Sequence, residues 1–218
     1  MARKKSSGRA RKPGRPAQPL TPAALVTLAA PVFSVRGPDG VSMREIAELA
    51  GIRKASLFHH FESKERLYQA VMEDALSRLF ELIVSARLDQ GGFEERLDRL
   101  SALMTDALAQ RPQTARLLVR ELMGGGPYLD GGGAVRVAET LEFTASFLSA
   151  GMDAGVFVKT DPRQLALSIA GLHLLPFAAE TSASALLGHA LLGPEGVVAR
   201  KQAVTSQVRR LCLVDQPG

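Results

Sequence analysis

The chain has 218 residues, 46% of them hydrophobic, which is enough for one large domain or two modest ones around a buried core. Its single cysteine, Cys212, excludes an intramolecular disulfide and fits a reducing, cytoplasmic setting. The formal charge of +5 is unevenly placed: Arg3, Lys4, Lys5, Arg9, Arg11, Lys12 and Arg15 all precede Thr21 without an acid among them, so the body of the chain is slightly acidic. Positive charge gathered at one end suits a chain that presents that end to a polyanion, and it equally suits a solvated tail.

Residues 1–20 are expected to form a disordered basic arm. No apolar stretch of the kind a signal peptide needs follows these basic residues. The segment "RARKPGRPAQP" contains Gly14-Arg15-Pro16, similar to the AT-hook core that lays arginine in a narrow minor groove, although Pro13 stands where an arginine would strengthen the match.

Helical signals dominate thereafter, with apolar residues three and four apart and no period-two runs of β-branched residues, so the fold is expected to be all-α. The first helix starts with Thr21 as cap and Pro22 at the first helical position and stops at Gly37. Pro31 inside it removes the amide that would bond the Thr27 carbonyl, which predicts a kink or late restart. Ser42 and Glu45 form a capping box for a second, two-turn helix ended by Gly51. A third short helix runs to about His60. Ser63 caps a fourth, which is expected to reach roughly Asp89 with Leu67, Val71, Ala75, Leu79 and Leu82 as its buried seam. Five more helices are read at about Glu94 to Gln110, Thr114 to Met123, Ala134 to Gly151, Asp161 to Ala179 and Glu195 to Leu213. Between them, "MGGGPYLDGGG" follows a helix rather than a strand and is read as a loop, not a phosphate cradle. The run "LALSIAGLHLLPFAAETSASALLGHALLG" is interrupted by His173, Pro176, Glu180 and His189, which argues against a membrane span.

On the third helix, 100° per residue places Leu57 and Phe61 together on one side and Ser56, His59 and His60 on the other. One side anchors and the other displays hydrogen-bond donors, as in a helix-turn-helix whose second helix enters the DNA major groove. Arg53, Lys54 and the helix N-terminus then reach phosphate or guanine edges. Ser56 and His60 reach backbone or bases, and Arg44 on the second helix is a further candidate. The plain alternative is an αα-hairpin with a solvated face.

The stretch "VSMREIAELAGIRKASLFHHFESKERLYQAV" resembles the DNA-binding domain of the TetR family of bacterial transcriptional regulators. Carried over by position, Ser56 matches the family's usual Thr, Phe58 its frequent Tyr, His60 its common His, and Lys64 the Lys that opens the fourth helix. Phe58 lacks the phenol used on phosphate, leaving that contact absent or supplied by His59. Arg53 stands where Ser or Thr often caps the recognition helix, exchanging a cap typically worth ~1 kcal/mol for a charge. The resemblance implies an N-terminal three-helix DNA-binding domain, here 21–66, joined to a helical ligand-binding and dimerisation domain, here 67–218. It also implies a homodimer on a palindromic double-stranded operator, released by a small-molecule effector.

For the C-terminal part, the nearly uncharged helix after Asp161, together with Val197, Val204, Val208 and Leu211 of the last helix, is read as the dimer interface. Met104, Tyr128, Phe147, Met152, His173 and Phe177 are the candidate ligand-binding residues. No catalytic constellation or metal-ligand spacing is evident, so neither an enzyme nor a cofactor is expected. Two other readings stay open: an architectural protein of A·T-rich DNA without a ligand, and a helix-turn-helix scaffold that no longer binds DNA.

Overall fold

Local capping rules set the first four helices. In the computed structural model, which describes residues 20–124, 126, 128–129 and 133–214, helix α1 spans Pro22–Arg36. The Thr21 hydroxyl accepts from the Ala24 amide at 3.2 Å, and Gly37 ends the helix at φ 70°, a left-handed backbone that favours glycine. Helix α1 runs on through Pro31, so the chain does not restart there. Thr27, whose carbonyl loses its amide partner, and Pro31 both lie on the exposed side of the helix, where the carbonyl is open to solvent.

Helix α2 is Met43–Leu49, with both halves of the capping box formed: Glu45 N–H donates to Ser42 Oγ at 3.3 Å and Ser42 N–H to Glu45 Oε2 at 2.8 Å. Arg36 adds an ion pair to the same carboxylate at 2.9 Å. A turn through Gly51, at φ 67°, leads into α3, Lys54–His60. Ser63 caps α4, Lys64–Ser85, by accepting from the Arg66 amide.

Helix α4 stops four residues before Asp89, at a turn where Arg87 takes φ 50°. Its buried stripe contains Leu67, Val71, Ala75 and Leu79 as expected, while Ile83 rather than the half-buried Leu82 continues it. The carbonyls after α4 are held by arginines of α5, Phe93–Gln110: Arg96 donates to Leu88 and Gly91, Arg99 to Ala86 and Arg87.

Then come α6, Pro112–Gly124; α7, Ala134–Asp153; α8, Pro162–Ala178, capped by Asp161; α9, Glu180–Leu187; and α10, Pro194–Cys212. The sequence pattern predicts a helix ending at Ala179 and none directly after it, whereas α9 follows at once. The chain turns by 86° between α8 and α9. No single helix among the described residues is long and apolar enough to cross a membrane.

The core has two main parts. One gathers α1–α4 with α6 around Leu25, Phe33, Leu57, Tyr68, Met72 and Leu117, and the other gathers α5, α7, α8 and α10 around Leu97, Leu148, Phe157, Val204 and Val208. Val204 and Val208, expected at a dimer interface, are instead 0% and 1% exposed within the single chain, because α10 lays this face along α5. Cys212 is buried beside them, and burial pushes its thiol up to about 12, which makes it a packing residue rather than a reactive thiol. The end of α10 is tied to the α7–α8 connection through Val158 N–H to the Cys212 carbonyl, 2.8 Å.

The capping box makes a pH prediction. Hydrogen bonds from Ser42, then Arg36, hold the Glu45 carboxyl down from 4.5 to about 2, so its stabilisation is complete above the unfolded value and is lost as pH falls through the folded one. Glu45→Gln is expected to lower the melting temperature at neutral pH, with the difference from wild type shrinking as pH falls from 4.5 to about 2, followed by thermal melts across that range.

Candidate nucleic-acid interface and effector cavity

Helix α3 has one buried residue, Leu57 at 0% exposure, seated in the core shared by α1, α2 and α4. Arg53, Lys54, Ser56, His59 and His60 are all exposed, so the displayed side read from 100° spacing is present in the fold. Lys64 is half-buried at the start of α4. Among the described residues no carboxylate pairs with Arg53, Lys54 or Lys64, whereas Arg44 is occupied by an exposed pair with Glu48 at 2.8 Å. Arg53 makes no side-chain cap, as its replacement of Ser or Thr implies. Phe58 is 38% exposed, with the Lys54 ammonium 5.4 Å from its ring centroid, so this position presents an apolar face and a cation together. His59 and His60 lie edge to face, 5.7 Å apart. Arg15 and the rest of the basic arm, 1–19, lie outside the described residues.

Behind this surface, α4 to α8 enclose an apolar cavity of about 170 Å³. Met104, Tyr128, Phe147 and His173, four of the six candidates, line it; Met152 and Phe177 pack elsewhere in the core and do not. The His173 Nδ1–H donates to the Ile169 carbonyl at 2.9 Å, which leaves Nε2 to accept from the Ser101 hydroxyl at 3.1 Å. Burial, aided by the charge of Arg200, pushes His173 below its ordinary value, so it is a neutral wall residue.

Sequence reasoning missed Glu121 on the same wall. It is 2% exposed and accepts a 2.5 Å hydrogen bond from the Tyr68 hydroxyl. Burial and this carboxylate together raise the Tyr68 phenol well above its ordinary value, keeping it a donor. The available signal was position: Glu121 follows Leu117 and Leu118 by four and three residues, on the apolar side of α6.

A short helix with a free donor face, held by a helix that also walls an internal cavity, is the build of a helix-turn-helix regulator. Residues 25–71 match the model of bacterial regulatory proteins of the tetR family, and residues 94–208 match the tetracyclin repressor-like C-terminal domain. The chain belongs to the TetR family.

Among curated relatives, the transcriptional repressor KstR2 of Mycolicibacterium smegmatis is 46% identical over 56 residues, 26% of this chain and 27% of that protein. The transcriptional regulator RutR of Escherichia coli K12 is 27% identical over 146 residues, 67% of this chain and 68% of that one. The chain thus matches about a quarter of KstR2 and two thirds of RutR. Two solved structures share the fold. AibR in complex with isovaleryl coenzyme A and operator DNA has a TM-score of 0.69 at 20% identity, covering 86% of this chain and 97% of that one. KstR2 of Mycobacterium tuberculosis has a TM-score of 0.65 at 20% identity, covering 89% and 95%.

The two sides of α3 respond differently to truncation. Leu57→Ala is expected to cost about 2–5 kcal/mol of folding stability, and Ser56→Ala less than about 0.5 kcal/mol, in urea melts.

Proposed function

We propose that this protein is a cytoplasmic, ligand-responsive transcriptional repressor, which binds a palindromic operator as a homodimer through α3 and is released when a small molecule occupies the cavity. The observation that carries this reading is the continuity of α4. Its first residue, Lys64, adjoins the donor face, and four turns later its Leu79 lines the cavity. The division at 66/67 therefore marks a change of role along one helix rather than a gap in packing.

Arg53, Lys54, Ser56, His59, His60 and Lys64 are assigned to DNA, with phosphate contacts setting position and Ser56 and His60 reaching bases. Arg44 is a weaker candidate because Glu48 competes for it. Steric exclusion at the operator then suffices for repression, without catalysis.

For the dimer, the apolar side chains still uncovered on α8, α9 and α10 support a second copy of the chain: Leu167, Leu175, Leu186, Leu187, Val198 and Leu211 are each 43% exposed or more. Leu167, Gly171 and Leu175 are spaced by four along α8, which makes them one exposed stripe.

Two measurements test the reading. A Ser56→Ala, Lys64→Ala double variant is expected to fold and dimerise as wild type while losing about tenfold or more in operator affinity by fluorescence anisotropy; unchanged affinity removes α3 from DNA recognition. Separately, Leu175→Glu is expected to turn dimer into monomer in sedimentation velocity with the fold intact, since an exposed glutamate costs the single chain little and disrupts an apolar interface.

A further inference from the structure

The donors on the outward side of α3 have a role in DNA contact, but an apolar part of the same side does not. Measured from the buried anchor Leu57, 100° per residue turns Ala55 and His59 almost directly away from the core and sets Phe58 and Ser56 on the two flanks. Ala55 and Phe58 are both exposed and, three residues apart, are neighbours on the helix surface. They form an apolar strip with Lys54 on one side and His59, Ser56 and His60 on the other. Lys54, one turn before Phe58, holds its ammonium 5.4 Å from the ring centroid, so a positive charge travels with the ring. A partner that fits this strip is apolar at one point and negative beside it. Among the base edges of the major groove the 5-methyl group of thymine is the apolar feature, and phosphates flank it. A phenyl ring has no donor for phosphate or for a base acceptor, which leaves apolar contact as what it can offer.

We infer that Phe58, with Ala55 beside it, is a specificity-determining residue that reads thymine by burying its 5-methyl group, while the Lys54 ammonium meets the adjoining phosphate. This rests on the reading of α3 as the DNA-binding helix. The other three bases present polar atoms at their major-groove edges and no methyl group, so each would be desolvated against the ring without a partner. Burial of one methyl group is worth about fourfold in affinity, and so about fifteenfold over the two half-sites of a palindrome.

The test begins with duplexes selected from a random library by the full-length protein. Each thymine of the selected half-site is then replaced in turn, in both half-sites together, by deoxyuridine, which removes the methyl group and keeps every hydrogen-bonding atom. Affinities are read by fluorescence anisotropy at one salt concentration. Deoxyuridine at one thymine per half-site is expected to weaken the wild-type protein by about fifteenfold. Phe58→Ala is expected to shrink that difference to about twofold or less, whereas Phe58→Tyr, which keeps the ring, is expected to retain it. A variant that merely disturbs α3 lowers affinity for both duplexes by the same factor and leaves their ratio unchanged. Phe58→Gln, also a good helix former, is expected to behave as Phe58→Ala does and serves if that variant does not fold. Wild-type indifference to deoxyuridine at every thymine, or a difference as large in Phe58→Ala as in wild type, overturns the inference and leaves the DNA-binding reading standing on the selected duplex. Selection of no duplex overturns both.

Discussion

Tyr68 is where the parts of this chain are joined. It is fully buried, stacks edge to face with Phe33 of α1 at 5.2 Å between centroids, and donates its hydroxyl hydrogen to Glu121 of α6. Removing the phenol oxygen leaves the Glu121 carboxyl with neither of its oxygens bonded among the described residues, and leaving a buried polar group unsatisfied costs about 1–3 kcal/mol. The helix-turn-helix is too small to bury its own apolar surface well; α1 obtains much of its cover from α4 and α6. The DNA-reading unit is therefore held in position by the same helices that wall the cavity, and Tyr68 is the polar contact within that otherwise apolar junction.

Two prolines inside helices show how the same covalent defect is handled by position. Pro31 leaves the Thr27 carbonyl without its amide on an exposed face, open to solvent. Pro176 does the same to the Leu172 carbonyl, but inside the molecule, and there Arg200 of α10 donates to it. Burial pushes the Arg200 guanidinium below its ordinary value and leaves its Nε unpartnered among the described residues, so the repair brings a cost of its own. The benefit is positional: α10 is fastened to α8 at the bend before α9, in the region proposed to meet the second copy.

What could be read from sequence divides along the same line between local and distant causes. Thr21, Ser42 with Glu45, Ser63 and Asp161 announce helix starts because a cap is made by the next three residues, and each is formed. The donor side of α3 was legible for the same reason, since periodicity on a short helix needs only a single anchor, Leu57. Helix α9 was not: the chain breaks at Ala179, where no Gly or Pro marks the change, and the nearest signal, Pro176, lies three residues earlier. Val204 and Val208 show the limit of apolar pattern, which identifies a face that must be covered but not whether α5 or another chain covers it. Met152 and Phe177 show it again, because bulk selects core residues and only the packing of helices decides which of them border empty space. Glu121 was visible as an acid on an apolar stripe, a local inconsistency of the kind that marks function or strain.

Helix α6 gives these features a common mechanical consequence. Arg120 and Glu121 are adjacent and so point about 100° apart around the helix. The first reaches the end of α1, donating to the Val35 carbonyl and lying against Gly37; the second reaches the cavity and Tyr68. A rigid helix cannot move one of these without the other, and packed interiors shift between discrete arrangements rather than deforming continuously. Any occupant that binds one arrangement of α6 better than another therefore alters how α1 is held, and with it the α3 that α1 supports. The size of that effect is bounded by the occupant's difference in affinity for the two arrangements, and linkage requires DNA to discriminate against the occupant by the same factor. Buried polar contacts suit this task better than apolar ones, since a carboxylate has a small number of acceptor sites and a new donor must displace an old one or fill a gap.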